Sequence, residues 1–306
     1  MNPTQTLPKK TSLPLGLSLN VWLALLIIWI VWGSTYLAIR IAVATVPPFL
    51  LISTRFLVAG LILFVFAKAR GAALPSAVQW RNAAVIGGLL LGCGVGGTAF
   101  SEQNISSSLT TIIIAGGSIM NVLMAGLINK TWPKRLEWLG LAIGLAGVAL
   151  LAFDGDLRAR PLNVLIQLFA LTCWATGSAL SSKLKLAEGA MGSASEMLAG
   201  GALLFAVSMA HGDMLPARLV PEAIGAWVYL VVFGSVIAYS AYMYVLKHAR
   251  PALATSYSYI NPLVAIVLGF VVLNERVSAI AFVSAGFIIT GVLLMSVVRS
   301  RSSSGQ

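Results

Sequence analysis

The chain has 306 residues, 58% hydrophobic and only 9% charged, with 20 basic against 9 acidic side chains and a net charge of +11. Soluble domains carry about 25% charged residues, so this chain cannot solvate a water-facing surface, and its mean hydropathy of +0.93 agrees. These figures exclude a soluble enzyme, a disordered tail protein and a disulfide scaffold, and leave the basic excess open between nucleic acid and membrane orientation.

A helix that crosses a bilayer needs roughly 20 mostly apolar residues. Such stretches are expected at 21–39, 48–67, 80–98, 103–128, 136–153, 162–182, 190–209, 223–246, 252–273 and 277–298. Lipid cannot satisfy exposed backbone groups, so these segments must be helices. A barrel would show short segments alternating apolar and polar, and the runs 21–32 and 263–272 do not alternate. The first stretch resembles a signal peptide, with Lys9 and Lys10 ahead of it and small residues at 42–44. Its apolar run is too long for that and holds Trp22, Trp29 and Trp32, so a retained first helix is expected.

With the first residues in the cytoplasm, the inward loops and tails gather 14 Lys and Arg against Glu137 and Glu188. The outward loops carry 5 basic against 6 acidic residues. Basic residues in short loops favour the cytoplasmic side, so both termini are expected there. The positive charge is then a topology signal, and no nucleic-acid partner is expected. Arg55 and Glu196 are the charges left inside spans. Cys93 and Cys173 also lie in spans without a C-x-x-C or a nearby His, and His211 and His248 lack ligand partners, so no metal or disulfide framework is expected.

The two halves of the sequence resemble each other. Residues 54–64 align with 195–205, and 146–150 with 290–294, in the same order and at an offset of 141 to 144 residues. Trp32, Gly33 and Ser34 have a looser counterpart in Trp174, Gly177 and Ser178. Five helices per half is an odd number, so the second half enters the membrane from the opposite side, an inverted repeat of the kind many transporters use. The expected architecture is an all-α membrane protein of ten transmembrane helices built as two inverted five-helix repeats. Its parts are a tail at 1–20, a repeat at 21–153, a connecting loop at 154–161, a second repeat at 162–298 and a tail at 299–306.

Several short motifs stand in order against these spans: Trp32-Gly33-Ser34-Thr35-Tyr36, Pro47-Pro48 leading to Arg55-Phe56, the run 252–257, Asn261-Pro262 and Asn274-Glu275-Arg276. In these residues the chain resembles the EamA family of ten-helix carriers in the drug/metabolite transporter superfamily. The resemblance implies a carrier of the cytoplasmic (inner) membrane that exports amino acids, related metabolites or drug-like amphiphiles. The first half departs from the motif, with Gly117-Ser118 where the second has Asn261-Pro262, so its fourth helix is expected to be less kinked.

Candidate site residues follow from depth and chemistry. A charge facing lipid costs about 2.5–3.5 kcal/mol, so Arg55 and Glu196 should face a cavity or a partner. Arg55 is a candidate for a substrate carboxylate and Glu196 for proton coupling or gating, against the plainer reading of contacts near helix ends. By helix rise their depths differ by about 8–10 Å, so a direct pair is not assured. Trp32, Ser34, Tyr36, Trp174, Ser178, Tyr239, Tyr242 and Tyr257 are candidates for a substrate-binding wall, open against roles in packing or an interfacial belt. Tyr257 and Tyr259 point apart, so one of the two suits a cavity. Gly97 and Gly117 leave either space for substrate or room for close helix contact. Pro262 should open the helix near mid-membrane and present Asn261.

No G-x-x-x-x-G-K-[ST] stretch is present, so ATP is not the expected energy source and no cofactor is expected. The expected partners are a small-molecule substrate, the lipid bilayer and a proton as candidate coupling ion. A secondary exporter of amphiphilic metabolites, foremost amino acids, is the leading reading. A drug or toxic-cation extruder, a membrane-embedded enzyme and a channel are the alternatives.

Overall fold

A proline at the first helical position costs nothing there, because its missing N–H would be unsatisfied anyway. The sequence uses this at Pro48, Pro221 and Pro251. Ser76 and Gln79 close another helix start with a reciprocal capping box. Gly212 ends a helix in the left-handed region at φ +81°, where a side chain would be strained.

The computed structural model describes residues 18–101, 107–153, 161–216, 218–273 and 279–297. Among them the regular structure is helical: α1 Leu19–Val43, α2 Pro48–Ala69, α3 Ala77–Ser101, α4 Ser107–Asn129, α5 Arg135–Phe153, α6 Pro161–Ser181, α7 Gly189–His211, α8 Pro221–His248, α9 Pro251–Ala254, α10 Tyr257–Leu273 and α11 Ala279–Val297. Six of these (α1, α2, α3, α6, α7 and α8) are long and apolar enough to cross a membrane. The expected tails, the connecting loop at 154–161 apart from Pro161, and Asn274-Glu275-Arg276 lie outside the described residues.

Two findings depart from the expectation. The stretch at 252–273 is not one helix: α9 stops at Ala254 and α10 begins at Tyr257, ahead of Pro262 rather than at it. Thr255 Oγ1 donates to the carbonyls of Pro251 and Ala252, an alternative to continuing the ladder. The turn is held from outside, by Trp29 Nε1 donating to Ser256 Oγ at 2.9 Å and Ser118 Oγ donating to the Thr255 carbonyl at 3.0 Å. Pro262 lies within α10, so the Ser258 carbonyl has no N–H donor one turn on. Secondly, α3 and α8 each widen into a π-helix, at Gly88–Gly96 and Leu230–Ile237. Such widenings cluster at functional sites.

The exterior is the apolar face. Leu61, Val65, Leu165, Phe169 and Phe282 are all more than half exposed, whereas Ser53, Asn82, Gln167, Ser195, Glu196 and Asn261 are buried. That inversion suits a hydrocarbon surround, where polar groups must find partners inside the protein.

Helices pair as α2 with α7, α5 with α11, α1 with α10, α4 with α6, α1 with α8 and α3 with α6. Glycines make the close contacts. A Cβ on Gly60 would meet Leu198 and Met197, and one on Gly201 would meet Leu57 and Phe56. Gly147 faces Ser284 and Ile288, and Gly291 faces Gly140 and Gly144. At the end of the bundle rich in Lys and Arg, Gln79 and Asn82 donate to the carbonyls of Leu186 and Lys185. Arg250 grips the carboxylate of the fully buried Glu137 there.

Candidate functional site

A cavity of about 130 Å³ lies inside the bundle, bordered by α1, α2, α3, α4, α6, α8 and α10. At about 30 Å³ per water, it has room for roughly four water molecules. Its wall is mostly apolar and aromatic, with Trp32, Phe56, Trp174, Tyr239 and Tyr257, and it carries the polar groups of Thr35, Arg55, Asn121, Ser258 and Asn261.

Four rings form one cluster. The Trp32 ring centroid lies 5.6 Å from Trp174, 5.1 Å from Tyr242 and 4.9 Å from Tyr257. Trp32 Nε1 donates to the Gly234 carbonyl at 3.1 Å, which ties α1 to the π-helical part of α8. Tyr242 and Ser178 share a hydrogen bond at 2.7 Å, and Ser178 Oγ also donates to the Trp174 carbonyl. A second cavity of about 330 Å³ is bordered by Asn129, Ser178, Ser182, Arg250 and Thr255. Trp174 faces the first cavity and Ser178, one turn on, the second, while Asn121 borders both. Tyr242, hydrogen-bonded to Ser178, links the aromatic cluster of the first cavity to a wall residue of the second.

The two intramembrane charges are not brought together. Arg55 is 5% exposed and its Nε donates to Ser235 Oγ at 2.7 Å, with its guanidinium also 5.0 Å from the Phe56 ring centroid. Glu196 is 1% exposed, and its Oε2 accepts from the Tyr239 hydroxyl at 2.8 Å. Ser235 and Tyr239 stand one turn apart on α8, so one helix face receives both charged residues. Glu196 stands behind Tyr239 and is not on the cavity wall. Its Oε1 has no hydrogen-bond partner.

Of the residues singled out in the sequence, the structure gathers Trp32, Arg55, Gly117, Trp174, Tyr239, Tyr257 and Asn261 on the first cavity. Tyr242 lies behind that wall and Ser178 on the second cavity. Ser34 points elsewhere: its hydroxyl donates to the Val31 carbonyl and shares a hydrogen bond with the Tyr229 hydroxyl. Gly97 packs against Ala170 and opens no space for a ligand. The side chains of Tyr36 and Pro262 fall outside the described residues.

Sequence reasoning missed Asn121, Thr35 and Ser235. Asn121 carried a usable signal, because it stands one turn after Gly117, the counterpart of Asn261. Its Nδ2 donates back to the Gly117 carbonyl at 2.8 Å. Glu137 was counted with the loop charges but is fully buried, because Arg250 from the far half covers it.

Comparisons with known proteins agree on a family. The sequence profile described as the EamA-like transporter family matches residues 20–153 and again 162–297. The uncharacterized inner membrane transporter YedA of Escherichia coli is 40% identical over 89% of each chain. A probable terminal-alkyne amino-acid exporter of Streptantibioticus cattleyicolor is 26% identical over 92% of this chain and 94% of its own. A solved crystal structure, 21% identical, superimposes with a TM-score of 0.74 over 90% of this chain and 96% of its own, which speaks to the fold alone.

Proposed function

The chain belongs to the EamA-like transporter family of membrane transporters, and from that premise we propose that it is a secondary carrier exporting small amphiphilic metabolites, foremost amino acids, by alternating access around the first cavity. One observation carries the choice of substrate. Arg55 is a buried cation on the wall of an apolar cavity, and among the described residues no carboxylate pairs with it. A buried unpaired charge is costly, and a carboxylate substrate relieves it with a charge-assisted hydrogen bond. The aromatic wall suits the apolar part of such a molecule. The name of the Streptantibioticus relative points the same way.

The architecture of this proposal is ten spans in two inverted repeats, 21–153 and 162–298, with both termini cytoplasmic and the carrier in the inner membrane, as the name of the Escherichia coli relative has it. The helix pairings favour it. Exchanging the halves turns α1 with α10 into α6 with α4, and α1 with α8 into α6 with α3, while α2 with α7 and α5 with α11 map onto themselves. The contacts of Gly60 and Gly201 are reciprocal in the same way, and the two π-helices occupy matching positions. Two neighbouring cavities that share Asn121 on their walls suit a site that opens alternately to each side.

Glu196 is the proposed coupling acid, reaching the cavity through the Tyr239 hydroxyl. A drug or toxic-cation extruder of the same fold would want an acid on the wall itself, and Glu196 stands behind Tyr239. Counterflow in proteoliposomes with a panel of amino acids, with and without a pH gradient, tests the proposal. Exchange-accelerated uptake of at least one amino acid is expected, and none with any of them would discard it. Glu196→Gln should abolish the acceleration by an imposed proton gradient; acceleration that survives removes the coupling role.

A further inference from the structure

We propose that Gly234 is a positioning residue for Arg55: the side chain it lacks leaves a seat that turns the guanidinium side-on to α8, so that a carboxylate on Arg55 binds end-on, at Nη1 and Nη2. This rests on the transport reading above and deepens it, from the cation that receives the substrate to the residue that sets how that cation is presented.

Gly234 stands in the π-helical part of α8 and on the wall of the first cavity. A Cβ built on it would lie 2.9 Å from Arg55 Nη2, 3.5 Å from Arg55 Cζ and 3.2 Å from Thr35 Cγ2. The guanidinium therefore fills the room that any larger residue would need. The next residue, Ser235, accepts the hydrogen bond from Arg55 Nε at 2.7 Å. Nε and Nη2 carry hydrogens along one edge of the planar guanidinium, so that edge is the one laid against Gly234 and Ser235. The terminal edge, formed by Nη1 and Nη2, is the one left to match the two oxygens of a carboxylate.

The backbone gives no other reason for a glycine here. Gly234 is not among the glycines with positive φ, and inside a helix glycine is less favourable than alanine. At Gly60 the neighbours of a Cβ are Leu198 and Met197, whereas at Gly234 the nearest atom belongs to a charged group. At the offset that relates the two halves, Gly92 and Cys93 stand where Gly234 and Ser235 do, and a Cβ on Gly92 would meet Leu203. The seat is thus a feature of the second half and not of the repeat. An added methyl at position 234 cannot easily be relieved by the backbone, because the Gly234 carbonyl is held by Trp32 Nε1 at 3.1 Å. The guanidinium, at the end of a flexible side chain, is what gives way.

The test sets Gly234→Ala against Arg55→Met, which keeps an unbranched stem and removes the fork, singly and together. Proteoliposomes are preloaded for counterflow with L-leucine or L-phenylalanine, and L-leucinamide and L-phenylalaninamide serve as competitors that lack the carboxylate. Gly234→Ala should raise KM about fivefold or more with turnover changed less than about twofold, and narrow the preference for acid over amide. In the Arg55→Met background it should change KM less than about twofold, since no guanidinium is left to displace. Melting in detergent reads the same seat without a substrate. Gly234→Ala should lower the melting temperature of the wild-type chain and leave that of the Arg55→Met chain equal or raised. A KM and a preference that ignore Gly234→Ala, or a melting loss equal in both backgrounds, overturns the inference while leaving the transport reading in place. Absence of counterflow with both acids discards their transport, and the melting cycle still decides the seat. If Gly234→Ala fails to fold alone but folds together with Arg55→Met, the seat is upheld; failure of both overturns it.

Discussion

Among the described residues Arg55 is held by one side-chain hydrogen bond, from its Nε to the Ser235 hydroxyl, and that bond sets what its other donors can do. With Nε engaged, the guanidinium of this wall residue is oriented, and the proposed carboxylate substrate would take a planar, two-pronged contact from its terminal nitrogens. Arg55→Ala should therefore raise KM for a carboxylate substrate at least tenfold in initial-rate uptake. Arg55→Lys should fail to restore it, because a point charge lacks the fork. Ser235→Ala removes only the orienting bond and should raise KM about two- to fivefold. Equal KM values for all three variants would place Arg55 in a packing role alone.

At the level of whole helices, the seams are built on missing side chains. Lipid gives helices no hydrophobic reason to associate, so close backbone approach through small residues carries the packing. Gly60 and Gly201 do this between α2 and α7, each meeting the residues one turn before the other. Gly60→Leu should lower the melting temperature in detergent by several degrees, since overpacking costs about 1–3 kcal/mol. Gly225→Ala is the matched control: nothing lies within 4 Å of a Cβ built there, so the change should leave stability equal or raised by up to about 1 kcal/mol. The π-helices of α3 and α8 follow a different logic. They widen the turn beside Gly94 and Gly234, both on the cavity wall, and the Gly234 carbonyl there accepts from Trp32. Nothing in the residue types at 88–96 or 230–237 marks them for a wider helix.

Across the whole molecule, the two halves are tied at the basic end by an ion pair between the buried Glu137 and the partly exposed Arg250. Glu137, at the start of α5, accepts from Lys134 N at 2.8 Å and from Arg250, whose own NH2 also donates to the Trp132 carbonyl at 3.2 Å. Removing one member of a buried pair leaves the other charge stranded, at about 3–5 kcal/mol. Arg250→Ala, which strands the buried carboxylate, should destabilise the detergent-solubilised protein strongly, and Glu137→Ala less, because Arg250 keeps access to water. The double variant should lose much less than the sum, a coupling that a double-mutant cycle measures. Topology belongs to this scale too. A reporter fused after Arg301 should be active only in its cytoplasmic form; periplasmic activity would reverse the proposed orientation.

Hydropathy alone located the apolar helices to within a few residues, as with 190–209 against Gly189–His211, because apolar runs are locally encoded. Depth within the spans also marked Arg55 as a charge, Trp32, Trp174, Tyr239 and Tyr257 as rings, and the Asn261-Pro262 pair marked Asn261. Which way these residues face depends on neighbours from other helices, and no local signal carries that. So Ser34 turned to Tyr229, Ser178 to Tyr242 and the second cavity, and Glu196 to Tyr239 rather than to Arg55. The break before Pro262 was fixed from α1 and α4, through Trp29 and Ser118. The burial of Glu137 was fixed by Arg250, 113 residues away. Apolar content decides that a segment enters the membrane, since that free energy sums residue by residue. Only the packed bundle decides where its polar groups find partners, because in hydrocarbon those partners must come from other helices.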